Sequence, residues 1–333
     1  MTQTPTGDTP LGAMRFNSDS QKLEYFDGEI WLQIHTFNPN LNGGARGIYA
    51  GGNTPSGKSN VIEYINITSS GNGTDFGDMV SARGGPGGCS DGTRGIIAGG
   101  GEPSRVTKID YITMATTGNA ADFGDLTQAR SQDGNNGGNS ATRGLFAAGT
   151  TPSLVNTIDY ITIASTGNAV DYGDMAQTDN AAFPVASPTR VVYAGGAPAI
   201  NVIQFVTTAT TGNTQDFGDL PIATEWQTGA SNATRGLWLG GIRSSSKVST
   251  VDSIMIATQG IAWLFGDLAT ATASAACASN PVRTCMGGGN APTNTVNIQY
   301  TSLITAGTSV DFGDITGARA ELAGFSNANG GLG

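Results

Sequence analysis

The sequence predicts an all-β protein built from six copies of one unit, and three observations lead to this prediction. Charged residues make up only 13% of the 333 residues, whereas glycine is abundant at 50 residues. The hydrophobic content of 38% is too high for a wholly disordered chain. A four-residue motif, "DFGD" in its commonest form, occurs six times. Short strands joined by turns rich in glycine, threonine and asparagine fit this combination best.

Two markers of the repeat keep the same period. The last Asp of the motif recurs at spacings of 47, 49, 45, 48 and 47 residues, and an Arg that opens a short apolar run such as "RGIYAGG" keeps step with it. We call the latter the repeat Arg residues: Arg46, Arg94, Arg143, Arg190, Arg235 and Arg283. Two independent markers with one period indicate a true internal repeat of six units.

Each unit is predicted to contain four short strands. The first follows an "AR" pair such as Ala82-Arg83, and the second is the apolar run after the repeat Arg. The third alternates apolar and polar residues, but its phase shifts between Tyr160 and Ile161. That shift indicates either a strand covered on both faces or a bulge. A "TGN" turn then leads to the fourth strand around the aromatic residue of the motif.

A period of about 40–50 residues with four strands per unit is typical of a β-propeller blade. The Gly pair after the second strand, the "V/I-x-Y" third strand and the following aromatic residue resemble the kelch repeat, with Phe or Tyr where kelch blades usually carry Trp. We therefore expect residues 37–333 to form a six-bladed kelch-like β-propeller. The first unit lacks a first strand, so residues 317–331 are predicted to complete that blade and close the ring.

The recurrence of the motif favours an architectural role over the magnesium-binding role that "DFG" has in protein kinases, whose other elements are not recognisable here. We expect its last Asp to hydrogen-bond turn amides next to glycine. The aromatic residues of the motif, which we call the repeat aromatic residues, are expected to pack between blades: Phe76, Phe123, Tyr172, Phe217, Phe265 and Phe312.

Residues 1–36 do not follow the period. Apolar and polar residues alternate around two turns, which predicts a small three-stranded β-meander. A segment this short cannot bury enough apolar surface to stand alone. We therefore expect it either to dock on the propeller or to pack against another chain.

A distinctive set of residues occurs within residues 12–31: Gly12, Arg15, Phe16, Asn17, Asp19, Glu24, Tyr25, Phe26, Asp27, Gly28 and Trp31. In these residues the segment resembles a short segment common in tail-fibre and other virion proteins of tailed bacteriophages. The repeat "IDYITIASTGNAVDYGDM" is likewise similar to repeats in structural proteins of marine phages, notably those that infect cyanobacteria. The resemblance implies a non-enzymatic virion structural protein of the tail, fibre, neck or capsid surface, attached to other virion proteins through its N-terminal segment.

The alternative function is a receptor-binding adhesin that recognises host surface glycan, and a glycan-trimming enzyme is the third choice. Rigid scaffolds place recognition on variable loops. The loops that vary most follow the second strand, at residues 53–60, 101–108 and 243–250. Aromatic residues in the strands before such loops are expected to pack in the core: Tyr49, Phe146, Tyr193 and Trp238.

No catalytic, cofactor-binding or metal site is predicted. The single histidine, His35, cannot supply a copper-ligand set. The two Asp residues of each motif are three apart, so a calcium site would need a turn to reunite them. The three cysteines show no disulfide or metal-ligand spacing and are expected to be buried thiols: Cys89, Cys277 and Cys285.

Two further polar positions are expected to be structural. The repeat Arg residues are expected to tie neighbouring strands together. One third-strand position tolerates both acids and glutamine, which indicates a need for a polar group rather than for charge. Its occupants are Glu63, Asp110, Asp159, Gln204, Asp252 and Gln299.

The net charge of −10 and the absence of a basic run exclude nucleic acid as an expected partner. No apolar run is long enough to span a bilayer, so no membrane partner is expected. The first residues lack a basic and an apolar region, so no secretory signal is expected. The sequence therefore predicts a soluble protein.

Overall fold

The computed structural model of the chain describes residues 9–17, 22–33, 45–131 and 138–328. Every regular element in these residues is a β-strand, and no helix occurs among them. The chain divides into two compact units, Met1–Leu41 and Asn42–Gly333. The all-β class predicted from composition and turn residues is therefore confirmed.

The first unit contains one antiparallel sheet of three strands in the order β1-β2-β3. These strands are β1 (Met14–Asn17), β2 (Lys22–Phe26) and β3 (Trp31–Gln33). Met14 pairs with Tyr25, and Phe16 pairs with Leu23. The three-stranded meander predicted from the alternating pattern is present.

The second unit contains six main antiparallel sheets, which we number 1 to 6 in chain order. Sheet 1 begins with β4 (Arg46–Ala50), β7 (Val61–Asn66) and β8 (Thr74–Asp78), and a separate hairpin of β5 (Asn53–Thr54) and β6 (Gly57–Lys58) lies between β4 and β7 in the chain. Sheet 2 contains β9 (Gly87–Ser90), β10 (Arg94–Ala98), β11 (Lys108–Thr113) and β12 (Ala121–Asp125). Sheet 3 contains β13 (Gly138–Asn139), β14 (Arg143–Ala147), β15 (Val155–Thr162) and β16 (Val170–Asp179).

The other three sheets follow the same order. Sheet 4 contains β17 (Phe183–Ala186), β18 (Arg190–Ala194), β19 (Ile200–Thr207) and β20 (Gln215–Thr224). Sheet 5 contains β21 (Thr228–Ser231), β22 (Arg235–Leu239), β25 (Thr250–Met255) and β26 (Trp263–Asp267), and a separate hairpin of β23 (Ile242–Arg243) and β24 (Ser246–Lys247) lies between β22 and β25 in the chain. Sheet 6 contains β27 (Ala276–Ser279), β28 (Arg283–Gly287), β31 (Asn297–Ser302) and β33 (Val310–Asp314). A separate hairpin of β29 (Asn290–Ala291) and β30 (Thr293–Asn294) follows β28, and the short strand β32 (Gly307–Thr308) precedes β33.

The last strand of the chain, β34 (Ala323–Ser326), belongs to the first sheet. Its order is β34-β4-β7-β8, with Ala323 opposite Ala50 and Phe325 opposite Ile48. The predicted use of the C-terminal segment to complete the first sheet is therefore met by Ala323–Ser326. Sheet 5 gains a fifth strand, because β32 pairs in parallel with the outer strand β26.

A bulge separates the third and fourth strands of every sheet. In sheet 2, Ile109 lies opposite Gly124 whereas Asp110 lies opposite Asp122, so Phe123 is the extra residue. Both explanations that the sequence offered for the phase shift are present. The third strand is covered on both faces, since Ile158, Asp159 and Ile161 are all buried, and a bulge lies beside it with the repeat aromatic of the fourth strand as its extra residue. Gly124 has a φ of +151°, and a Cβ there would lie 2.5 Å from the carbonyl oxygen of Gly167. Only glycine fits this close approach.

The repeat aromatic residues are buried and pack between sheets, as predicted. Phe76 of sheet 1 lies in one cluster with Ile97 and Ile112 of sheet 2. Corresponding clusters join each later sheet to the next. A sixth cluster joins sheet 6 to sheet 1, where Phe312 packs with Tyr49. The core is therefore a series of six inter-sheet layers rather than one central mass.

The repeat Arg residues also connect neighbouring sheets. The Arg94 guanidinium lies 4.7 Å from the centre of the Tyr111 ring, a cation–π contact, and its Nη1 donates to the carbonyl oxygen of Ile163 in sheet 3 at 3.0 Å. The ring contact recurs at all six repeat Arg residues. The carbonyl contact recurs at five: Arg46, Arg94, Arg143, Arg190 and Arg235. The predicted tying role is confirmed for these five.

Backbone hydrogen bonds join the motif of each sheet to the turn of the next. The carbonyl oxygen of Phe76 accepts from the amide of Gly118 at 2.8 Å, and that of Asp78 accepts from Ala120 at 2.8 Å. The amide of Asp78 donates to the Asn119 side-chain oxygen at 3.0 Å. The motif Asp was expected to bond turn amides through its carboxylate, but these bonds use its main chain. The "TGN" turn is thus an inter-sheet connection as well as a turn.

Candidate functional site

The loops after the second strands of neighbouring sheets are linked by polar contacts. The Lys58 ammonium in sheet 1 donates to the carbonyl oxygen of Glu102 in sheet 2 at 2.6 Å. Lys247 makes the matching contact from sheet 5 to the carbonyl oxygen of Pro292 in sheet 6, at 3.2 Å. Asn294 donates to the carbonyl oxygen of Asn53 at 2.9 Å. The three loops that the sequence selected for their variability therefore form a connected surface along sheets 5, 6, 1 and 2, together with the shorter loop of sheet 6.

Two of the three predicted loops meet at a cavity of about 280 Å³, which we call the loop pocket. Residues 53–60 and 101–108 both contribute to its lining, whereas residues 243–250 do not. Glu321, just before β34, also lines it, and its carboxylate accepts from the Asn53 side-chain amide at 2.5 Å. The side chains that matter for its chemistry are those of Asn53, Lys58, Glu102, Arg105, Ser131 and Glu321.

The aromatic residues that precede the loops do not reach this pocket. Tyr49, Phe146, Tyr193 and Trp238 are all fully buried, as expected for core residues. The Tyr49 hydroxyl donates to the carbonyl oxygen of Cys285, and the Trp238 indole donates to that of Phe183, both at 2.8 Å. These residues fix the scaffold beneath the loops and offer no stacking surface to a ligand.

Buried ion pairs lie beneath the loop face. The Arg of the "AR" pair reaches the third-strand acid in three sheets: Arg83 with Asp110, Arg130 with Asp159, and Arg319 with Glu63. In each pair both side chains are almost completely buried. Burial raises the pKa of Asp110 and lowers the pKa of Arg83, because both charges have left water. Each charge is therefore tolerated only because its partner is present.

The expectation that the third-strand position needs polarity rather than charge is corrected by these pairs. An acid occurs there only where a guanidinium is within reach; in sheet 5 that group is Arg243, which pairs with Asp252. The two glutamines face no guanidinium. Gln299 instead accepts from the Ser309 hydroxyl at 2.7 Å, and Gln204 accepts from the Thr214 hydroxyl at 2.6 Å.

Asp179 is a buried acid that lacks such a partner in the described part of the chain. It is the last residue of β16 in sheet 3, and it occupies the repeat position, five residues after the motif, that Arg83 occupies after sheet 1. Its side chain is 1% exposed, and its Oδ1 accepts from the amides of Ala197 and Ala181 at 2.7 and 3.2 Å. No cation pairs with it among the residues that the structure describes. Burial raises the pKa of Asp179 to about 6, although these amides oppose the shift.

The raised pKa makes Asp179 a source of pH-dependent stability. The folded state binds its proton more tightly than the unfolded state, so stability should fall as pH rises from about 4 to about 6 and stay lower above that. At about 1.4 kcal/mol per pKa unit, the loss is about 3 kcal/mol. Asp179→Asn keeps the acceptor oxygen and should remove this loss, giving a more stable protein at pH 7. Urea unfolding between pH 4 and pH 8 measures the effect.

An exposed aspartate provides the control for this experiment. Asp216→Asn changes the net charge equally and should leave the pH profile of the wild-type protein intact. An Asp179→Asn protein whose stability still falls between pH 4 and pH 6 as steeply as the wild type would refute the role of Asp179.

The described residues contain no group of three or more His, Cys, Asp or Glu side chains that could hold a metal ion. His35, the only histidine, lies outside the described residues. All three cysteines are buried and unpaired, as expected. Burial raises the pKa of Cys277 to about 11, and also raises the pKa of Cys89 and Cys285, so these thiols are unreactive.

The two faces of the meander in the first unit differ in chemistry. On one face, Arg15 pairs with Glu24 at 2.8 Å and stacks on Trp31, with its guanidinium 4.2 Å from the ring centre. Asn17 donates to the same carboxylate at 2.9 Å. The other face is apolar and open to solvent, and it consists of Met14, Phe16, Leu23 and Tyr25, with exposures of 60, 65, 39 and 38%.

Sheet 5 carries an apolar strip that the sequence reasoning missed. Ile261, Trp263 and Leu264 are 70, 43 and 62% exposed along and beside its outer strand. Every other motif begins with Asp where sheet 5 has Leu264, so the departure was visible in the "LFGD" form of the motif. Glu321 of the loop pocket was also missed. The sequence contains no signal that places Glu321 next to pocket residues more than two hundred positions earlier in the chain.

Comparison with known proteins adds no identity. No family model matches the chain, and no curated protein matches it. A membrane-spanning helix is not found among the described residues. Functional inference therefore depends on the geometry of the chain itself.

Proposed function

We propose that sheets 1 to 6 are the blades of a closed, kelch-like β-propeller. The support is that three kinds of contact follow the same cyclic order. The apolar clusters, the motif-to-turn hydrogen bonds and the first-strand contacts each run from sheet to sheet. The last step returns to sheet 1, where Gly71 donates to the carbonyl oxygen of Phe312 at 2.9 Å. First strands of all six sheets also line one narrow cavity of about 40 Å³, as expected near a propeller axis.

We further propose that the protein is a non-enzymatic structural component of a phage virion, attached to other virion proteins through the meander. The single observation that supports attachment is the open apolar face of Met14, Phe16, Leu23 and Tyr25. A contiguous exposed apolar surface of this kind marks an interaction site. Five of the residues that carry the phage resemblance build the opposite face, whereas Phe16 and Tyr25, which also carry it, lie on the apolar face. The five are Arg15, Asn17, Glu24, Phe26 and Trp31. The shared segment is therefore a folding module that presents an apolar surface.

Gold-antibody labelling of purified particles, imaged by electron microscopy, tests this proposal. Label is expected on the particle, and its position identifies the tail, fibre, neck or capsid. The double variant Met14→Ser/Phe16→Ser should lose incorporation, because its apolar face is interrupted while its polar network remains. The matched control is Ile304→Ser/Val310→Ser, which changes two exposed apolar residues of the second unit and should leave incorporation unchanged. If particles assembled with the wild-type protein carry no label, the virion role is rejected.

A second candidate function is glycan recognition at the loop face. It is favoured by the loop pocket, where two variable loops and Glu321 converge on a polar cavity. Scaffold-borne loops of this kind are common binding sites. Label at distal fibre tips, together with adhesion of the recombinant protein to host cells, would favour this function over a purely structural one.

A further inference from the structure

One arginine differs from all the others in its side-chain contacts. Of the twelve Arg residues, eleven make an ion pair, a ring contact or a carbonyl hydrogen bond through the side chain. Arg105 alone makes none with the part of the chain that the structure describes. It lines the loop pocket, as does Lys58, whose ammonium has a carbonyl partner but no ion pair with any described carboxylate. Two cations without paired carboxylates therefore meet at one cavity in a chain of net charge −10.

The other lining groups are hydrogen-bond acceptors. The Glu102 carboxylate lies 3.9 Å from the Lys108 ammonium, which is long for an ion pair, and the Glu321 carboxylate accepts from the Asn53 side chain. A carboxylate has about four acceptor sites, so it can accept several hydrogen bonds at once. A ligand that combines one negative group with several hydroxyls would satisfy both sets of groups. A polyphosphate or nucleic acid would instead meet repulsion from Glu102 and Glu321.

We propose that the loop pocket binds an acidic sugar residue of the uronic-acid class. The sugar carboxylate accepts from the Arg105 guanidinium and the Lys58 ammonium, and planar guanidinium is well matched to carboxylate. The sugar hydroxyls donate to Glu102 and Glu321. The cavity of about 280 Å³ is near the lower limit of small-ligand pockets, about 300 Å³, which fits one sugar ring rather than a long segment. The inference rests on the second candidate function and names its ligand.

Calorimetric titration of the full recombinant chain tests the proposal with three probes: trigalacturonate, the neutral galactose trisaccharide and inorganic phosphate. Trigalacturonate is expected to bind at least tenfold more tightly than either other probe, with an affinity that falls as salt rises. Arg105→Gln should weaken it by about tenfold, the effect of losing one charge-assisted hydrogen-bond pair. Lys247→Gln is the control, because it also removes one positive charge from a loop of the same surface but does not line the pocket.

Three outcomes would overturn the proposal. They are equal binding of the acidic and neutral trisaccharides, tighter binding of phosphate, and an Arg105→Gln protein with unchanged affinity and melting temperature. If the pocket does not bind trigalacturonate, the result of particle labelling is unaffected, because calorimetry uses the isolated protein. Absence from particles, conversely, would reject the virion role while binding of trigalacturonate could persist.

Discussion

Deleting residues 315–333 is expected to abolish folding of the second unit. The deletion removes β34 and with it Leu322 and Phe325, which are fully or almost fully buried in two inter-sheet clusters. Loss of a buried Phe side chain alone costs about 3–5 kcal/mol, and the whole stability of a domain is about 5–15 kcal/mol. The deletion also removes Arg319, so buried Glu63 loses its cation. We expect aggregation of the truncated protein in size-exclusion chromatography.

Point variants and a peptide make the deletion experiment specific. Phe325→Ala should lower the free energy of unfolding by about 3–5 kcal/mol, whereas Ile304→Ala, at a residue 57% exposed, should change it by less than about 0.5 kcal/mol. A synthetic peptide of residues 315–333 should restore a folded complex with the truncated chain. A truncated protein that stays monomeric with an unchanged melting temperature would contradict closure by the C-terminal strand.

The repeat explains why so much of the fold could be predicted from one sequence. Six aligned units separate architectural positions from variable ones, so the repeat Arg and aromatic residues were recognised by recurrence alone. The bulge was harder to locate, because the phase shift was visible on the third strand while the extra residue, such as Phe123, lies on the fourth. A bulge inserts its extra residue into one strand only, so the pattern of the third strand does not reveal an insertion in the fourth.

The loop pocket could be predicted only in part. Variability selected residues 53–60 and 101–108, and the structure brings these two loops together. Glu321 joins them because β34 pairs with β4, a long-range contact that local pattern does not encode. The ion pairs were within reach of the sequence. An "AR" pair precedes the units with Asp110 and Asp159, and another lies in the C-terminal segment that completes the unit with Glu63, whereas the units with glutamine have none. The third-strand acid was interpreted without its arginine partner. That interpretation led to the wrong conclusion that the position requires polarity rather than charge.

Replacing Arg83 by Thr is expected to be among the most damaging single substitutions in the chain. Asp110 would remain buried, keeping only the long 3.3 Å bond from the Val80 amide. Removing one partner of a buried pair costs about 3–5 kcal/mol, because the remaining charge is unpaired away from water. Asp110→Gln alone should also destabilise, since Arg83 would retain only its bonds to the carbonyl oxygens of Gly99 and Lys108. Urea unfolding of each variant measures these losses.

Sheet 6 contains the combination that should restore stability. Gln299 there faces Thr272 and Ser309, with the Ser309 hydroxyl donating to it at 2.7 Å. The positions that correspond to Thr272, Gln299 and Ser309 in sheet 2 are Arg83, Asp110 and Ala120. The double variant Arg83→Thr/Asp110→Gln should therefore recover most of the loss, and adding Ala120→Ser should recover more.

The order of stability of these variants distinguishes a requirement for matched charges from a requirement for polarity alone. If the position required only polarity, Asp110→Gln alone would not destabilise the protein. Adding Asp110→Gln to Arg83→Thr would then restore no stability. If charge matching decides, the two losses are strongly non-additive, with a coupling above the about 0.5 kcal/mol seen for independent sites. Sheet 1 supports matching, because its longer acid Glu63 is accompanied by Gly73, where a Cβ would lie 2.7 Å from the Glu63 carboxylate. Each unit thus adjusts the acid, its cation and the neighbouring turn residue together, and a single change disturbs all three.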